Sequence, residues 1–413
     1  MSDEMNVQVE AYDKYIKSVD WLKDAGLPAA ITLSEVLEPS EGKDAIIFPP
    51  TFAVRKAEHP YRIDTLRKDK ESQAAQPGEE VNTCLIDSIG SQANRMESCF
   101  KKASLSSLVP QIEVTMKTKV NAEDRTIRVN LLDIGHRIAD GAVRFFNLRD
   151  NVTEAIKAMR DNGNAEPLAK LSPTSLVFGF WDSRPETTMF KYGRLLSSTI
   201  RATNVAVVKR SAQFNPAFDP SLIGLGDEVP EGEEQSQSVD EGSGKAADGK
   251  DPLSKLGLRA APAVDTHGGV RVYGQIIRRT EINLVNLRSL AVTKTDRDGN
   301  PQEIDPGTTL KLRRYILGLA LVAARSQTHY ALREGCLLIR RGDPTACVVY
   351  TDSKSKPESI EWCLEHVLKY ADKTAKDFGV GAGQTIDFDV KKVREEVERL
   401  KKEGKKKSGK GSK

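Results

Sequence analysis

The chain has few cysteines, no long apolar run and none of the short signatures that carry common catalysis. Its five cysteines (Cys84, Cys99, Cys336, Cys347 and Cys363) are odd in number and widely spaced across 413 residues. There is no Cys-x-x-Cys and no histidine pair at ligand spacing, so the pattern excludes a disulfide framework and a zinc ribbon and predicts buried thiols. No stretch approaches the roughly 18 apolar residues of a membrane span. The amino-terminal MSDEMNVQVE is acidic and polar where a secretion signal needs a basic start and an apolar block. A cytoplasmic protein without membrane partners is the expectation, and 38% hydrophobic with 29% charged residues suits a globular fold. Four hundred residues supply one large domain or two to three ordinary ones.

Phosphate-loop chemistry is missing too. Residues 244–250, GKAADGK, fit the Gly-x4-Gly-Lys frame, but Asp251 stands where magnesium needs a hydroxyl, and no strand precedes the segment. The glycines of GVGAG at 379–383 follow a helix-like stretch and lack the strand–turn–helix order of a dinucleotide site. His136 and Asp140 lie four apart, one face of the helix expected over GHRIADGAVRFF; two ligands alone do not make a metal site. No local nucleophile signature occurs. The sequence therefore predicts no catalytic residue, no metal and no cofactor.

What is present is segregated charge. Net charge is only +3, from 62 Lys+Arg against 59 Asp+Glu. Yet from Arg184 to Phe214 six cations (Arg184, Lys191, Arg194, Arg201, Lys209 and Arg210) face Glu186 alone, with Phe190, Tyr192 and Phe214 between them. Cations interleaved with rings suit a polyanion whose bases can stack; a solvated mixed-charge surface is the competing reading. Residues 219–250 hold nine carboxylates, two lysines and no aromatic ring, a composition expected to stay unfolded, so that deleting 222–250 should leave the fold intact. The last 23 residues carry eleven Lys/Arg and four Glu.

Periodicity predicts an α+β protein. Helices are expected over Asp13–Lys23, over 152–161 and over 357–373, and Asn82–Lys102 reads as a strand end or turn running into a helix with Ile89, Ala93, Met96 and Phe100 as its apolar stripe. LKLRRYILGLALVAARSQTHYAL is apolar around its whole circumference and should be the core helix. Strands are expected in AAITLSEVL and AIIFPPTFA, in GGVRVYGQIIRRTEINL ahead of a short helix, and in LLIRR and ACVVY on either side of a turn at Gly342-Asp343-Pro344; residues 56–80 read as a long loop. QIEVTMKTKV and TIRVNLLDI form a hairpin around NAEDR, its polar face carrying Lys117, Lys119, Arg125 and Arg128 as a basic clamp. Alternating strands and helices are compatible with a ferredoxin-like or RRM-like sheet, but the aromatic RNP1 signature is missing, so charged arms and loops, not a face of stacked rings, are the expected binding mode.

Four segments together are familiar: CLIDSIGSQANRMES (84–98), SPTSLVFGFWDSRP (172–185), GRLLSSTIRATNV (193–205) and GGVRVYGQIIRRTEINL downstream. They resemble the backbone RAMP subunit of type I CRISPR effector (Cascade) complexes, in the Csb-type branch of type I-U (I-G) systems, over about residues 10–380. The resemblance implies an RRM-like (ferredoxin-like) RAMP core with finger and thumb-like insertions. Its first part would span 1–218, an acidic insert 219–255, its second part 256–380, and a basic helix and tail 381–413. It also implies a non-catalytic scaffold for antiviral defence that polymerises along a CRISPR guide RNA. Its partners would be that RNA, target DNA through the guide, further copies of itself, and the large and Cas-five/Cas-six-type Cascade subunits. Ser91, Gln92, Asn94 and Arg95, near a helix start, then become candidate phosphate contacts, followed by Arg184, Lys191, Arg194, Arg201, Arg278 and Arg279. Adjacent residues on a strand point to opposite faces, so only one of Arg278 and Arg279 is expected to reach RNA. Two alternatives stand: a relative that cleaves target RNA with a loop aspartate such as Asp133 or Asp182, or a metal-dependent nuclease centred on His136 and Asp140.

Overall fold

The fold is organised by β1, Pro28–Pro39, whose alternating residues bury Ile31, Leu33, Glu35 and Leu37 on one face. In the computed structural model the described residues are 12–13, 15–16, 26–53, 59–66, 81–120, 123–182, 189–214, 261–296, 301–327, 330–352 and 354–408. The expected helix at Asp13–Lys23, the acidic insert, and Arg184 fall wholly or largely outside them.

After β1 come β2 (Ile46–Ile47), β3 (Ile63–Leu66) and β4 (Val81–Asp87), then helix α1 (Ile89–Glu97). The hairpin β5 (Ile112–Val120) and β6 (Glu123–Asn130) forms where predicted. Helices α2 (Arg149–Asn162), α3 (Glu166–Leu171) and α4 (Pro173–Phe178) precede the short strands β7 (Phe180–Asp182) and β8 (Phe190–Tyr192). Two long strands, β9 (Leu196–Thr203) and β10 (Val205–Phe214), lead to β11 (Ala261–Val272), β12 (Ile276–Asn283) and α5 (Leu284–Ser289). The ribbon β13 (Thr293–Thr295) and β14 (Pro301–Ile304) enters α6 (Pro306–Arg325). The chain ends with β15 (Tyr330–Arg333), β16 (Cys336–Tyr350), β17 (Glu358–Ser359), α7 (Leu364–Phe378), β18 (Gln384–Asp387) and α8 (Val390–Ser408).

The main sheet runs β15-β16-β1-β12-β9-β4-β3, with β17 on β16, and every pairing is antiparallel. It curls into a half-barrel, so the architecture is α+β. Its concealed face closes over two apolar cores. One, built on Ile31, Leu33, Leu196, Ile282 and Val348, is covered by α1, α4 and α6. The other, built on Leu37, Ile86, Ile200 and Ile276, is closed by the sheet β10-β11-β2.

The predicted core helix is α6, buried from Leu312 to Ala324 apart from half-buried Arg314. Asp305 caps its first turn, accepting from the Thr308 amide at 3.1 Å, and Pro306 follows at the first helical position. Gly318 lets α7 approach: a Cβ there would stand 2.9 Å from Thr374 Oγ1 and 3.0 Å from Ala371 Cα. Each fully buried Leu or Ile of this helix contributes about 1.5–3 kcal/mol of transfer free energy.

Several predicted elements take another form. GHRIADGAVRFF makes two 3-10 turns, Arg137–Ala139 and Gly141–Phe145, not an α-helix. Arg137 sits at φ +57° with its guanidinium buried, and the Asp140 side chain caps the second turn through the Ala142 amide at 2.9 Å. LLIRR and ACVVY are one strand, β16; Gly342-Asp343-Pro344 is a bulge where Ser34 and Val36 face Thr345 and Arg341. GGVRVYGQIIRR is two strands in different sheets, β11 beside β10 and β12 beside β1 and β9, and the helix expected from 357 begins at Leu364. Residues 384–387 add a strand parallel to β5 before the final helix.

Candidate nucleic-acid interface

The residues expected to meet phosphate divide sharply. Arg278 and Gln92 are completely buried, in contradiction to a surface role. Arg278 reaches Glu35 Oε2 at 2.5 Å, Gln92 Oε1 at 3.0 Å and the Ala324 carbonyl at 3.0 Å, and lies over the Tyr330 ring. Gln92 Nε2 in turn donates to Asp87 Oδ2 at 2.6 Å. This polar cluster links the two apolar cores from within. Phase on the strand explains Arg278: it shares a face with Ile276, Thr280 and Ile282, whereas Arg279 shares one with Glu281 and Asn283. On α1 the buried set is Gln92, Ala93, Met96 and Glu97, so the stripe is rotated from the predicted one and Ile89 is exposed.

Arg95 is one-third exposed and largely committed. It donates to Asp87 Oδ2 at 3.2 Å and to the Leu332 carbonyl at 2.6 Å, tying α1 to β15. The Ser91 amide is taken by the helix cap, Ser88 Oγ, at 3.3 Å. The start of α1 is thus capped by its own side chain.

Asn94, Lys191 and Arg194 remain exposed, and the fold gathers them around α4 and the β7–β8 ribbon. The buried Arg137 guanidinium organises this end. It pairs with Glu97 Oε2 at 2.7 Å, donates to the Gly179 carbonyl at 3.4 Å and to Asn94 Oδ1 at 3.5 Å, and stacks on Phe178. Gly179, at φ +75°, admits the close crossing: a Cβ would meet the Tyr192 carbonyl at 2.9 Å and the Arg194 amide at 3.0 Å. Phe180 turns inward against Phe190 and Tyr192, which leaves Trp181 59% exposed directly opposite Lys191. A flat ring beside an ammonium, with a guanidinium at the ribbon's base, can stack a base and hold its phosphate. Neither Lys191 nor Arg194 has an ion-pair partner among the described residues. Trp181 was not among the sequence candidates, although alternation through FGFWD puts Phe180 and Trp181 on opposite faces.

The open face of the main sheet carries Thr32, Ser34, Ser197, Thr199 and Glu281 together with two arginines. Arg201 and Arg279 are diagonal neighbours there, since Arg201 opposes Ile277 and Arg279 opposes Thr199. Arg201 is paired with Asp64 at 3.2 Å; Arg279 is exposed with no ion pair among the described residues. On the β5–β6 hairpin most of the cations are paired. Register puts Lys117, Lys119 and Arg128 on one face and Arg125 on the other, while Glu113, Glu123 and Asp124 pair with Arg128, Arg125 and Lys119 at 3.5–3.6 Å.

Among the described residues no group of three His, Cys, Asp or Glu is placed to hold a metal ion. Cys84, Cys99 and Cys336 are buried free thiols, as expected; burial pushes Cys84 and Cys99 up to about 12 and Cys336 to about 11, so none is a thiolate nucleophile at neutral pH. Among the described residues no helix is long and apolar enough to cross a membrane.

One exposed ring beside cations without ion-pair partners among the described residues makes the ribbon a candidate polyanion site. The profile of the family described as CRISPR-associated protein GSU0053 matches residues 31–207, from β1 into β10 and including α1, the β5–β6 hairpin and the β7–β8 ribbon. That similarity supports a CRISPR-associated family for this chain. No curated protein matches the chain.

Proposed function

We propose that this chain is the guide-RNA-binding backbone subunit of a CRISPR effector complex, of the type I-U (I-G) Csb-type branch, and acts as a scaffold without catalysis of its own. The observation that carries the reading is Trp181 facing Lys191 beside Arg194, within the segment similar to the CRISPR-associated family. Strand order supports an RRM-like palm. β16, β1, β12 and β9 lie side by side as fourth, first, third and second strand of a β-α-β-β-α-β unit, with α1 before the second strand and α6 before the fourth. Residues 1–218 and 256–380 both supply strands to this sheet, in keeping with one palm built from two parts of the chain. Guide contacts are assigned to Asn94, Trp181, Lys191, Arg194 and Arg279, with Arg201 available if RNA displaces Asp64. Polymerisation along the guide, pairing with target DNA and association with other Cascade subunits belong to the same proposal.

The test is purification of the protein alone and with its neighbouring operon products, followed by sequencing of co-purifying nucleic acid. Small RNA of uniform length with repeat-derived ends is the expected result. A monomer free of RNA in both preparations would sink the proposal.

A further inference from the structure

Between the end of α1, the end of α6 and strand β15 lies a surface pocket of about 210 Å³, lined by Arg95, Ser98, Lys102, Ser326, Gln327 and Tyr330 among others. Among the described residues no carboxylate lines it. The Arg95 guanidinium is held rigidly, by Asp87 on one side and the Leu332 carbonyl on the other, with a long contact from Nη1 to the Ala331 carbonyl at 3.4 Å. Five N–H groups less these three leave two free to a ligand. Asp87 is shared, because Arg333 also approaches it at 3.5 Å. One carboxylate thus serves two guanidiniums, and Lys102, exposed and without an ion pair among the described residues, adds a third cation. Arg95 and Lys102 are the charged side chains that line the pocket, and the buried Asp87, shared with Arg333, offsets only part of the positive charge around it. The neighbouring Lys101 differs: it is paired with Asp133.

We propose that this pocket binds a phosphate monoester: a group of nearly two negative charges, bonded by the two free Arg95 N–H donors and by Lys102 Nζ. Three donors on two cations match the three terminal oxygens of a monoester, one more than the diester of a nucleic-acid backbone offers. Its size admits the phosphate with a small attached group, and its place at the carboxyl end of α1 is distinct from the ribbon assigned to guide RNA. The inference does not rest on guide binding, because the ligand can be tested without RNA.

Titration calorimetry of the full-length protein with inorganic phosphate and AMP, and then with one short RNA bearing either a 5′-phosphate or a 5′-hydroxyl, tests it. Saturable binding of AMP is expected, weakened about tenfold or more by Lys102→Ala, restored in part by Lys102→Arg and unchanged by Lys101→Ala. The 5′-phosphorylated RNA should compete with AMP and the 5′-hydroxyl RNA should not. Competition by phosphate, AMP and 5′-phosphorylated RNA alike assigns the pocket to the group, whichever molecule brings it; AMP competition without competition by the phosphorylated RNA restricts it to free nucleotides. Absence of saturable binding, binding indifferent to Lys102→Ala, or equal competition by the 5′-hydroxyl RNA would overturn the proposal. Lys102 is exposed, so its variants test the site without the folding risk of replacing Arg95.

Discussion

Two arginine-rich regions of this molecule use the same side chain for opposite purposes. Inside the half-barrel, Arg278 is sealed, with Glu35, Gln92, Ser198, Tyr330 and the Ala324 carbonyl consuming its donors. At the β7–β8 ribbon, Arg194 and Lys191 stand in solvent beside an exposed tryptophan. The difference lies in what each charge was taken from. A buried guanidinium has lost its water and must be satisfied by the protein, whereas an exposed one is still hydrated and available to phosphate.

The contrast is broken most severely from the inside. Arg278→Ala should cost about 3–5 kcal/mol of folding free energy, because Glu35 loses its buried guanidinium and keeps Arg340 and the Tyr330 hydroxyl, while Gln92 and Ser198 lose a donor. A drop in the urea midpoint with unchanged slope is the expected result; a midpoint within error of the parent would show that the cluster carries no stability. Lys191→Ala, by contrast, should leave that midpoint in place.

Arg137 belongs to both regions and comes next. Its replacement by alanine removes the partner of Glu97, whose carboxyl burial already holds above the ordinary carboxylate range against the opposing pull of Arg137. A carboxyl raised in the folded state contributes stability fully below its unfolded pKa and loses it as pH rises through the folded value. Without Arg137 the folded value climbs further. The Arg137→Ala deficit should therefore be larger at pH 7 than near pH 5, as urea titrations at the two pH values would show; equal deficits would mean that Glu97 does not feel the loss. Alanine also inherits the φ of +57°, so Arg137→Gly separates the two effects by relieving the backbone while still removing the charge.

On the exposed side the expected effects fall on RNA and not on folding. Trp181→Ala should weaken RNA binding by about 1–3 kcal/mol with little change in salt dependence, since stacking releases no counterions. Arg194→Ala should weaken it and lower the salt slope by about one unit, since a phosphate contact does. A binding titration across salt concentrations distinguishes them, and identical slopes for parent and Arg194→Ala would remove Arg194 from the interface.

Legibility followed the same division. Strong single-face patterns were readable: β1 from AAITLSEVL, the β5–β6 hairpin from its period of two, and α6 from apolar residues on every side. The burial of Arg278 was signalled by its phase with Ile276 and Ile282, but a charged residue in a buried phase is outweighed by the cost of desolvation unless its partners are known. Those partners, Glu35 and Gln92, lie 243 and 186 residues away in sequence. The Arg137 turn was unreadable for a similar reason: its left-handed φ is held by Glu97, Gly179 and Phe178, all distant in the chain. Trp181 is legible in FGFWD, where alternation sets its ring on the face opposite Phe180, but it stands ahead of the cationic run that begins at Arg184.

The smallest effect is expected at the β5–β6 hairpin, where sequence favoured a clamp and register favours balance. Lys119 and Asp124 are cross-strand neighbours 3.6 Å apart and largely solvated, 73% and 84% exposed, so their pairing is screened and adds little to folding. If the hairpin gripped RNA, Lys119→Ala would lower both affinity and salt slope as Arg194→Ala does. Because Asp124 already offsets that charge, removing Lys119 should leave both within error of the parent, and removing Asp124 should strengthen binding slightly if RNA passes nearby. A slope change in Lys119→Ala comparable to that of Arg194→Ala would restore the clamp and shift the interface from the ribbon toward the hairpin.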